Sequence, residues 1–131
     1  MGVAPMGELV IPVPGARPAA MLLSANDRRH WRTRSRLTRH WRGLAMVMCR
    51  SAINRGELRR VDSARIDVWF SFPTNQRRDV GNLYPTVKAC IDGFVDAGLM
   101  PDDDDSHLDG PFLHRGEQGP CSMRFVVTGR V

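Results

Sequence analysis

The chain has 131 residues, enough for one domain that buries roughly two-thirds of its unfolded surface. Apolar residues make up 42% and charged residues 25%, which is ordinary for a soluble globular protein. No apolar run approaches the roughly 20 residues that span a bilayer, which excludes a membrane-spanning helix. The N-terminus has no basic residue before its short apolar stretch, so we expect a cytoplasmic protein without a secretory signal. The net charge of +5 favours polyanionic partners.

The first predicted strand covers residues 8–12, which are short, apolar and closed by proline, as suits the edge of a sheet. A connection rich in proline, glycine and alanine follows over residues 13–24. Ser24 or Asn26 is then expected to cap a long helix that runs to Gly56. Apolar residues recur along this helix at steps of three and four and therefore share one face. They are Leu37, Trp41, Leu44, Ala45, Met48 and Ala52.

Three further segments read as strands. Residues 61–72 alternate between apolar and polar side chains, which predicts a half-buried strand. Residues 121–128 close the chain as another strand, and residues 107–114 are a candidate for one more.

A second helix is predicted after the strand at residues 61–72. Pro85 is expected in its first turn, with Asn82 and Tyr84 in the preceding loop or cap, because a residue before proline avoids α geometry. Gly98 is expected to end the helix. Its apolar face consists of Val87, Ile91, Phe94 and Val95.

Together these elements predict an α+β fold, with one domain over residues 1–131. A small mixed β-sheet and two main helices would follow the order β-α-β-α-(β)-β. Cys49, Cys90 and Cys121 are odd in number and widely spaced, which argues against a disulfide framework and a structural zinc site. We expect them to fill the core as thiols.

Charge is divided unevenly along the chain. Residues 1–78 contain fifteen arginines against five acidic residues. Residues 79–131 contain nine acidic residues against three arginines and Lys88, the only lysine. A basic half that can hold a polyanion, joined to an acidic half that can hold a metal ion, is what hydrolysis of a phosphodiester requires. A GC-rich genome would also favour arginine over lysine, so the arginine excess is weak evidence by itself.

Seven of the arginines lie within fifteen residues, with Asp27 as the only acidic neighbour. They are Arg28, Arg29, Arg32, Arg34, Arg36, Arg39 and Arg42. They fall on several faces of the predicted helix and cannot all line one groove. We favour a phosphate-contacting surface over a solvated basic face, because this density exceeds what solubility requires.

The acidic half contains two groups of carboxylates. Asp79 follows the strand at residues 61–72, and the run Asp102–Asp105 follows the second helix. A short loop that returned this run towards Asp79 would gather the oxygen ligands that Mg²⁺ prefers. Lys88 lies between the two groups and would offset charge that builds on a phosphate in the transition state. The alternative is a solvated acidic loop.

Two other kinds of metal site are disfavoured. A calcium-binding EF-hand loop starting at Asp102 would need glycine and glutamate where His107 and Leu113 stand. The four histidines, His30, His40, His107 and His114, lack the spacing of a zinc site. Only His107 adjoins the acids, where it could contact a phosphate or a water.

The string RRDVGNLYPTVKACIDGFVDAGLMPDDDDSH resembles the signature of RusA-type Holliday junction resolvases, with the match covering about residues 77–105. That family carries R-x-D-x-D-N-L before a helix bearing K-x-x-x-D, followed by A-G, two or three residues and D-D. The segment Leu23–Asn26 is similar to the family's S-x-N segment. The resemblance implies a small homodimeric endonuclease of phage or prophage type that depends on Mg²⁺, with Mn²⁺ as a possible substitute and no small-molecule cofactor. It also implies binding of four-way DNA junctions by shape and nicking of opposing strands, in DNA recombination and repair.

The family's functional residues can be carried over one by one. Asp79 matches the first acidic ligand, Lys88 the helical lysine and Asn82 the asparagine. Asp102 and Asp103 match the paired acids, of which the second is the usual ligand. The resemblance thus implies Asp79, Lys88 and Asp103 as catalytic residues, and Asp79, Asp102 and Asp103 as metal ligands. The residues expected to bind DNA are Asn26, Arg28, Arg29, Arg32, Arg77, Arg78 and Asn82.

The chain departs from the family pattern at three places. Gly81 stands where the family has its second aspartate, so Asp92, a surplus aspartate of the acidic run or a water would replace that ligand, or metal binding is weakened. Asp104 and Asp105 leave the register of the paired acids open by up to two residues. Asn82 lies six residues before Lys88 instead of three, which our placement of Asn82 before the helix accommodates.

Two further classes of function stay open. A non-catalytic branched-DNA-binding member of the same family would explain Gly81, and it would bind junctions in EDTA without nicking them. A protein-interaction adaptor with two charged halves would give no DNA shift even at low salt.

Overall fold

Four strands and two helices make up the fold. The computed structural model describes residues 4–130. The two ends of the predicted domain 1–131, and with them the first residues of the N-terminus in which no secretory signal is expected, lie outside the described residues. The main elements are β1 (Ala4–Pro12), α1 (Trp31–Asn54), β2 (Ser63–Ser71), α2 (Tyr84–Asp96), β3 (Leu108–Arg115) and β4 (Ser122–Arg130). Short 3-10 turns at Pro18–Met21 and Val80–Leu83 precede α1 and α2. The structure confirms the predicted α+β class and element order.

The sheet is mixed, with the strand order β1-β4-β2-β3. β4 runs antiparallel to both β1 and β2, whereas β3 runs parallel to β2. A parallel pair needs a crossover connection, and α2 lies within that connection. The beginning of β3 therefore lies beside the beginning of β2, where the Ala64 N–H donates to the His107 carbonyl at 2.8 Å. The acidic run, which directly precedes His107, is held near this end of the sheet.

The core lies between the helices and one face of the sheet. The predicted alternation in residues 61–72 is confirmed, because Ala64, Ile66, Val68, Phe70 and Phe72 are all buried. The apolar stripe of α1 is also confirmed, with the most deeply buried side chains at Leu37, Trp41, Ala45, Cys49 and Ala52. All three cysteines are free and buried, as expected. Neither helix within residues 4–130 offers an apolar stretch of the length that crossing a bilayer requires.

The predicted start of the first helix is wrong. α1 begins at Trp31, and its N-cap is His30, whose ring accepts a hydrogen bond from the Arg32 N–H at 3.1 Å. Neither Ser24 nor Asn26 caps the helix, because the segment from Leu22 to Arg29 is tied to other parts of the chain by hydrogen bonds.

Other boundaries also differ from the prediction: α1 ends at Asn54, and the ends of β2, β3 and β4 are shifted by one or two residues. β1 begins at Ala4, earlier than predicted, and it does lie at the edge of the sheet. Tyr84 is the first residue of α2, with φ −50° and ψ −42°, because the preceding 3-10 turn runs directly into the helix. Asn82 lies in that turn and so precedes α2, as predicted. Gly98, with φ +85°, follows the end of the helix, also as predicted.

The two helices pack closely at one glycine. A Cβ atom built on Gly93 of α2 would lie 2.3 Å from the Arg42 carbonyl oxygen of α1. The Arg42 guanidinium also forms an ion pair with Asp96 across the two helices, with an Nε–Oδ2 distance of 2.6 Å. Phe94 packs edge-on against Phe125 of β4, with their ring centroids 4.9 Å apart. These contacts hold α2 against both α1 and the sheet.

Candidate functional site

Three charged side chains meet beside the middle of α2. The Lys88 ammonium donates a hydrogen bond to Asp92 Oδ1 at 2.7 Å and another to Asp103 Oδ2. Asp92 lies one helical turn after Lys88, whereas Asp103 comes from the acidic run, fifteen positions away. The structure thus brings together two of the predicted catalytic residues, Lys88 and Asp103. Asp92, which the sequence offered only as a possible replacement for the acid missing at Gly81, contacts Lys88 here, as its four-residue spacing on a helix favours.

The hydrogen bonds in this cluster favour its charged forms. Burial acts to lower the pKa of the Lys88 ammonium, but its hydrogen bonds to Asp103 and Asp92 outweigh that effect, and the net pKa is raised. The hydrogen bond from Lys88 lowers the pKa of the Asp103 carboxyl group, against the opposing effect of burial. The Lys88 side chain remains 43% exposed and that of Asp103 22% exposed, so both can still be reached from solvent.

The acidic run adopts a turn in which each aspartate has a different position. Asp103 is half-buried and faces Lys88, whereas Asp102, Asp104 and Asp105 are exposed. Asp102 Oδ1 accepts a hydrogen bond from the Asp103 N–H at 2.7 Å. Asp104 Oδ1 accepts from both the N–H and the hydroxyl of Ser106. Of the four aspartates in the run, Asp103 is therefore the one that contacts Lys88.

His107 contributes to the turn as well. Its Nδ1 lies 2.8 Å from Asp104 Oδ1, and this hydrogen bond raises the pKa of the imidazole. The His107 N–H also donates to the Asp104 carbonyl at 3.0 Å. The imidazole ring of His107 therefore points towards Asp104, and His107 stabilises the conformation of the acidic turn.

Asp79 lies just before the 3-10 turn Val80–Leu83 and caps it. Its Oδ1 accepts a hydrogen bond from the Gly81 N–H at 3.1 Å, and the residue is exposed. A Cβ atom built on Gly81 would lie 3.2 Å from that same oxygen. An acidic side chain at position 81 would therefore stand directly beside Asp79, whereas glycine leaves Asp79 without a neighbouring carboxylate there.

Asp79 is not hydrogen-bonded to the Lys88 cluster. It precedes the first residue of α2 by five positions, whereas Asp103 lies beside the middle of that helix. Within residues 4–130, no group of three or more histidine, cysteine, aspartate or glutamate side chains has an arrangement that could hold a metal ion. The described side chains thus provide carboxylates at two places along α2, and Lys88 neutralises part of the charge at one of them.

The segment containing Ser24 and Asn26 is attached to the start of α2. The Thr86 hydroxyl accepts a hydrogen bond from the Leu23 N–H and donates one to the Leu23 carbonyl, each at 2.8 Å. The Ala25 N–H donates to the Asn82 carbonyl at 2.7 Å. Asn26 is exposed and Asn82 is half-buried, so these two predicted DNA-binding residues lie on adjoining segments. Thr86 was not among the predicted site residues; the one available signal was a threonine directly before the apolar face of α2 that starts at Val87.

Arg29 is used within the protein. It forms an ion pair with Asp27, with 2.5 Å between Nη2 and Oδ2, and the Asp27 side chain is only 6% exposed. Its guanidinium also donates to the carbonyl groups of Ala20 and Leu22. These contacts close a loop between the 3-10 turn Pro18–Met21 and α1. The geometry therefore gives Arg29, a predicted DNA-binding residue, a structural part in this segment.

Three arginines of α1 form one stripe on its solvent side. Arg32, Arg36 and Arg39 are spaced by four and three residues, so they share a helix face opposite the buried stripe. All three are exposed, and none has a carboxylate partner within 4.0 Å among residues 4–130. Arg28, which precedes the helix, is exposed as well. Among the arginines of residues 28–42, Arg29 and Arg42 thus form ion pairs within the protein, whereas Arg28 and the three of the stripe face solvent.

Arg77 and Arg78 differ in their surroundings. Arg77 is exposed, whereas Arg78 is half-buried with its guanidinium carbon 4.3 Å from the centroid of the Phe72 ring. The Arg78 Nε atom is buried and has no hydrogen-bond partner within the described part of the chain. The loop that carries both arginines is fastened by Arg115, which donates to the carbonyl groups of Thr74 and Gln76. Asp79 is held at the end of this fastened loop.

Comparison with known proteins relates the chain to a bacterial protein. No protein-family model matches the chain. A protein of Xylella fastidiosa, described as an uncharacterized protein, is 32% identical over 130 residues. The alignment covers 98% of this chain and 80% of the Xylella protein. At this identity and coverage, the chain belongs to the same protein family as the Xylella fastidiosa protein.

Proposed function

We propose that the protein is a Mg²⁺-dependent, structure-selective DNA endonuclease of the RusA type, which resolves four-way (Holliday) junctions by metal-assisted phosphodiester hydrolysis. The observation that carries the proposal is the contact between Lys88 and Asp103. These residues match the lysine and the second paired acid of the family's motif, and they meet although fifteen positions separate them. A lysine beside paired carboxylates suits chemistry on a phosphate group, since it supplies positive charge next to oxygen ligands.

The donor chemistry of the acidic residues fits a hard divalent cation. Asp79 before the start of α2 and Asp103 in the acidic turn, with Asp102 adjacent to Asp103, would have to converge on the ion, since the described side chains do not form one metal-binding group without it. Few protein ligands suffice because Mg²⁺ keeps several of its waters. When bound, the ion would act as a Lewis acid on the scissile phosphate and lower the pKa of the attacking water. Mn²⁺ is expected to substitute for Mg²⁺.

Lys88 would act on the phosphate itself. Its side chain is 43% exposed, and its ammonium has three N–H donors, two of which contact Asp92 and Asp103. The remaining donor can reach a phosphate oxygen while the two carboxylates keep the ammonium in position. A charge-assisted hydrogen bond of this kind stabilises the negative charge that develops on the phosphate during hydrolysis.

The exposed arginines would hold the DNA backbone. Arg28, Arg32 and Arg77 are exposed. Asn26 and Asn82 lie on adjoining segments near the start of α2, where they would contact one strand of the DNA. Contacts to phosphates position the DNA without reading its sequence, which suits recognition of a junction by shape. The proposal includes a homodimer of phage or prophage type that acts in the cytoplasm in DNA recombination and repair.

The proposal is tested by nicking of a synthetic four-way junction in Mg²⁺ and in Mn²⁺. We expect the wild-type protein to nick opposing strands and Asp79→Asn to lose that activity. Glu117→Gln is the matched control, because Glu117 is an exposed acid in the connection between β3 and β4. Undiminished nicking by Asp79→Asn would contradict the assignment of the site.

A non-catalytic branched-DNA-binding protein is the second candidate. Gly81 favours it, because Asp79 lacks the neighbouring acid that the family's motif has at that position. Tight binding of the junction in EDTA, together with no nicking at any concentration of Mg²⁺ or Mn²⁺, would select this candidate. No shift of junction DNA at low salt would reject both candidates in favour of a protein-interaction adaptor.

A further inference from the structure

A groove begins at Asp79 and continues past Arg78. Two adjoining cavities of about 250 Å³ and about 400 Å³ form it, and both are lined by Ala19, Phe72 and Arg78. The first cavity includes Asp79 and the second includes Cys121. The groove therefore leads away from one of the proposed catalytic carboxylates.

The lining of the groove combines an apolar floor with a charged rim. The floor is formed by Pro18, Ala19 and Ala20 of the 3-10 turn, by Leu83 and by the small exposed part of Phe72, which is 3% exposed. Arg17, Arg29 and Arg78 provide the positive charge of the rim. Arg29 and Asp27 neutralise each other in their ion pair, and Asp79 offsets one of the two other arginines, so three arginines against two aspartates leave the lining a small excess of positive charge.

Arg78 is the second observation that points to a ligand. Its guanidinium lies over the Phe72 ring, and its buried Nε has no hydrogen-bond partner within residues 4–130. Nε itself is too buried for a ligand oxygen to reach, so a ligand would bind the rest of the Arg78 guanidinium, which lines both cavities. A phosphate or base oxygen in the groove would accept a charge-assisted hydrogen bond from its terminal N–H groups, whereas an apolar ligand would not.

We propose that this groove binds one unstacked nucleotide of the DNA strand, with its base on the apolar floor and its phosphate on the arginine rim. The two cavities have the size and the mixed apolar and polar lining of small-ligand sites. Bases at a branch point are more easily unstacked than those within a duplex, and an unstacked base binds well to apolar and aromatic side chains. The inference rests on the proposed function and adds to it a subsite that would select branched DNA over linear duplex.

The test uses four-way junctions that carry a single 2-aminopurine at a branch-point nucleotide, with Ca²⁺ in place of Mg²⁺ to prevent cleavage. 2-Aminopurine fluoresces more strongly when it is unstacked. Ala19→Phe fills the groove from an exposed position of a turn that has no buried residue, so the fold should tolerate it. Ala16→Phe is the matched control, because Ala16 is an exposed alanine that does not line the groove. Arg78→Met removes the buried donor and the charge but keeps an apolar contact with Phe72.

We expect the wild type and Ala16→Phe to increase the fluorescence at one or more branch positions. Ala19→Phe and Arg78→Met should abolish the increase and weaken binding of the junction about 10-fold. If both groove variants show the fluorescence and affinity of the wild type while the wild type nicks junctions in Mg²⁺, the nucleotide subsite is rejected and the proposed nuclease function is kept. Failure of the wild type to bind any junction would overturn the groove and the proposed function together.

Discussion

The Lys88 ammonium donates a hydrogen bond to the Asp103 carboxylate and so joins α2 to the acidic turn. The four aspartates of the run have the same side chain, and only Asp103 among them contacts Lys88. Asp104 is directed at Ser106, and Asp105 is exposed without a side-chain hydrogen bond within the described part of the chain. The acids of the run should therefore differ greatly in their importance for activity.

We expect Asp103→Asn to lower junction nicking by about 100-fold or more, because it removes a charged oxygen beside both Lys88 and the proposed ion. Asp105→Asn is the matched control and should stay close to the wild-type rate, since that side chain is exposed. Single-turnover nicking rates at saturating Mg²⁺ measure both effects. Equal losses in the two variants would mean that the run acts through its total charge and not through Asp103.

Restoring the acid at position 81 should strengthen metal binding. The Gly81→Asp side chain would begin 3.2 Å from Asp79 Oδ1, and Gly81 has an ordinary negative φ, so the backbone accepts the change. Without metal, the two adjacent carboxylates should repel each other and lower the melting temperature. With Mg²⁺ or Mn²⁺ the variant should be stabilised more than the wild type, because two acids now share the ion.

Thermal melts over a range of Mn²⁺ concentrations test this expectation. Gly81→Asn serves as the control, because it adds a side chain of similar size without the charge. A metal-dependent gain in Gly81→Asn equal to that in Gly81→Asp would show that charge at position 81 is not the cause.

The regular elements could be predicted because their signals are local. The alternation of Ala64, Ile66 and Val68 indicates a half-buried strand without any knowledge of its neighbours. The apolar face of α1 is equally local, since spacings of three and four residues place Leu37 and Trp41 on one side of a helix. Gly98 could be read as a helix end because only glycine adopts a positive φ at little cost.

The features that could not be predicted depend on contacts between distant residues. Ser24 and Asn26 are good capping residues by type, yet the chain around them is tied to Thr86 and Asn82, and the helix starts later. The choice of Asp103 over its neighbours depends on where the turn meets Lys88, which spacing does not specify. Likewise, the sequence does not show which of the seven arginines in residues 28–42 pairs with Asp27, and the structure assigns that contact to Arg29.

The ion pair between Asp27 and Arg29 should stabilise the fold. Asp27→Asn is expected to lower the free energy of unfolding by about 1–3 kcal/mol, because it replaces charge-assisted hydrogen bonds of a nearly buried carboxylate. The hydrogen bond from Arg29 lowers the pKa of Asp27 below its ordinary value of 3.8. The contribution is therefore complete well above pH 3.8 and is lost as the pH falls through the lower pKa of the folded state.

Urea denaturation of the wild type and Asp27→Asn between pH 7 and pH 2 measures this difference. The two stabilities should converge as the pH falls below 3.8, provided that the proteins remain folded there. A difference that stays constant down to pH 2 would contradict an ionic origin.

The arginine stripe on α1 should contribute to DNA affinity through phosphate contacts. Arg32→Gln and Arg36→Gln should each weaken binding of junctions and linear duplexes alike. Each should also reduce the slope of log K against log salt by about 0.9. Arg55→Gln is the control, because Arg55 lies just past the end of the same helix and already binds Glu57 at 2.9 Å. A slope unchanged in both stripe variants would identify this face as solvated and free of DNA.

Two helical glycines should respond in opposite directions to the same substitution. Gly93→Ala would place its Cβ 2.3 Å from the Arg42 carbonyl oxygen, so α1 and α2 would have to move apart, at a cost of about 1–3 kcal/mol in the free energy of unfolding. Gly43→Ala meets no atom within 4 Å and should stabilise the protein by about 0.5–1 kcal/mol, because alanine favours the helix. Urea denaturation of both variants measures the two effects under one condition. If Gly93→Ala were as stable as Gly43→Ala, the close contact between the helices at Gly93 would be incorrect. The position of Lys88 relative to the sheet, which depends on how α2 packs, would then have to be revised as well.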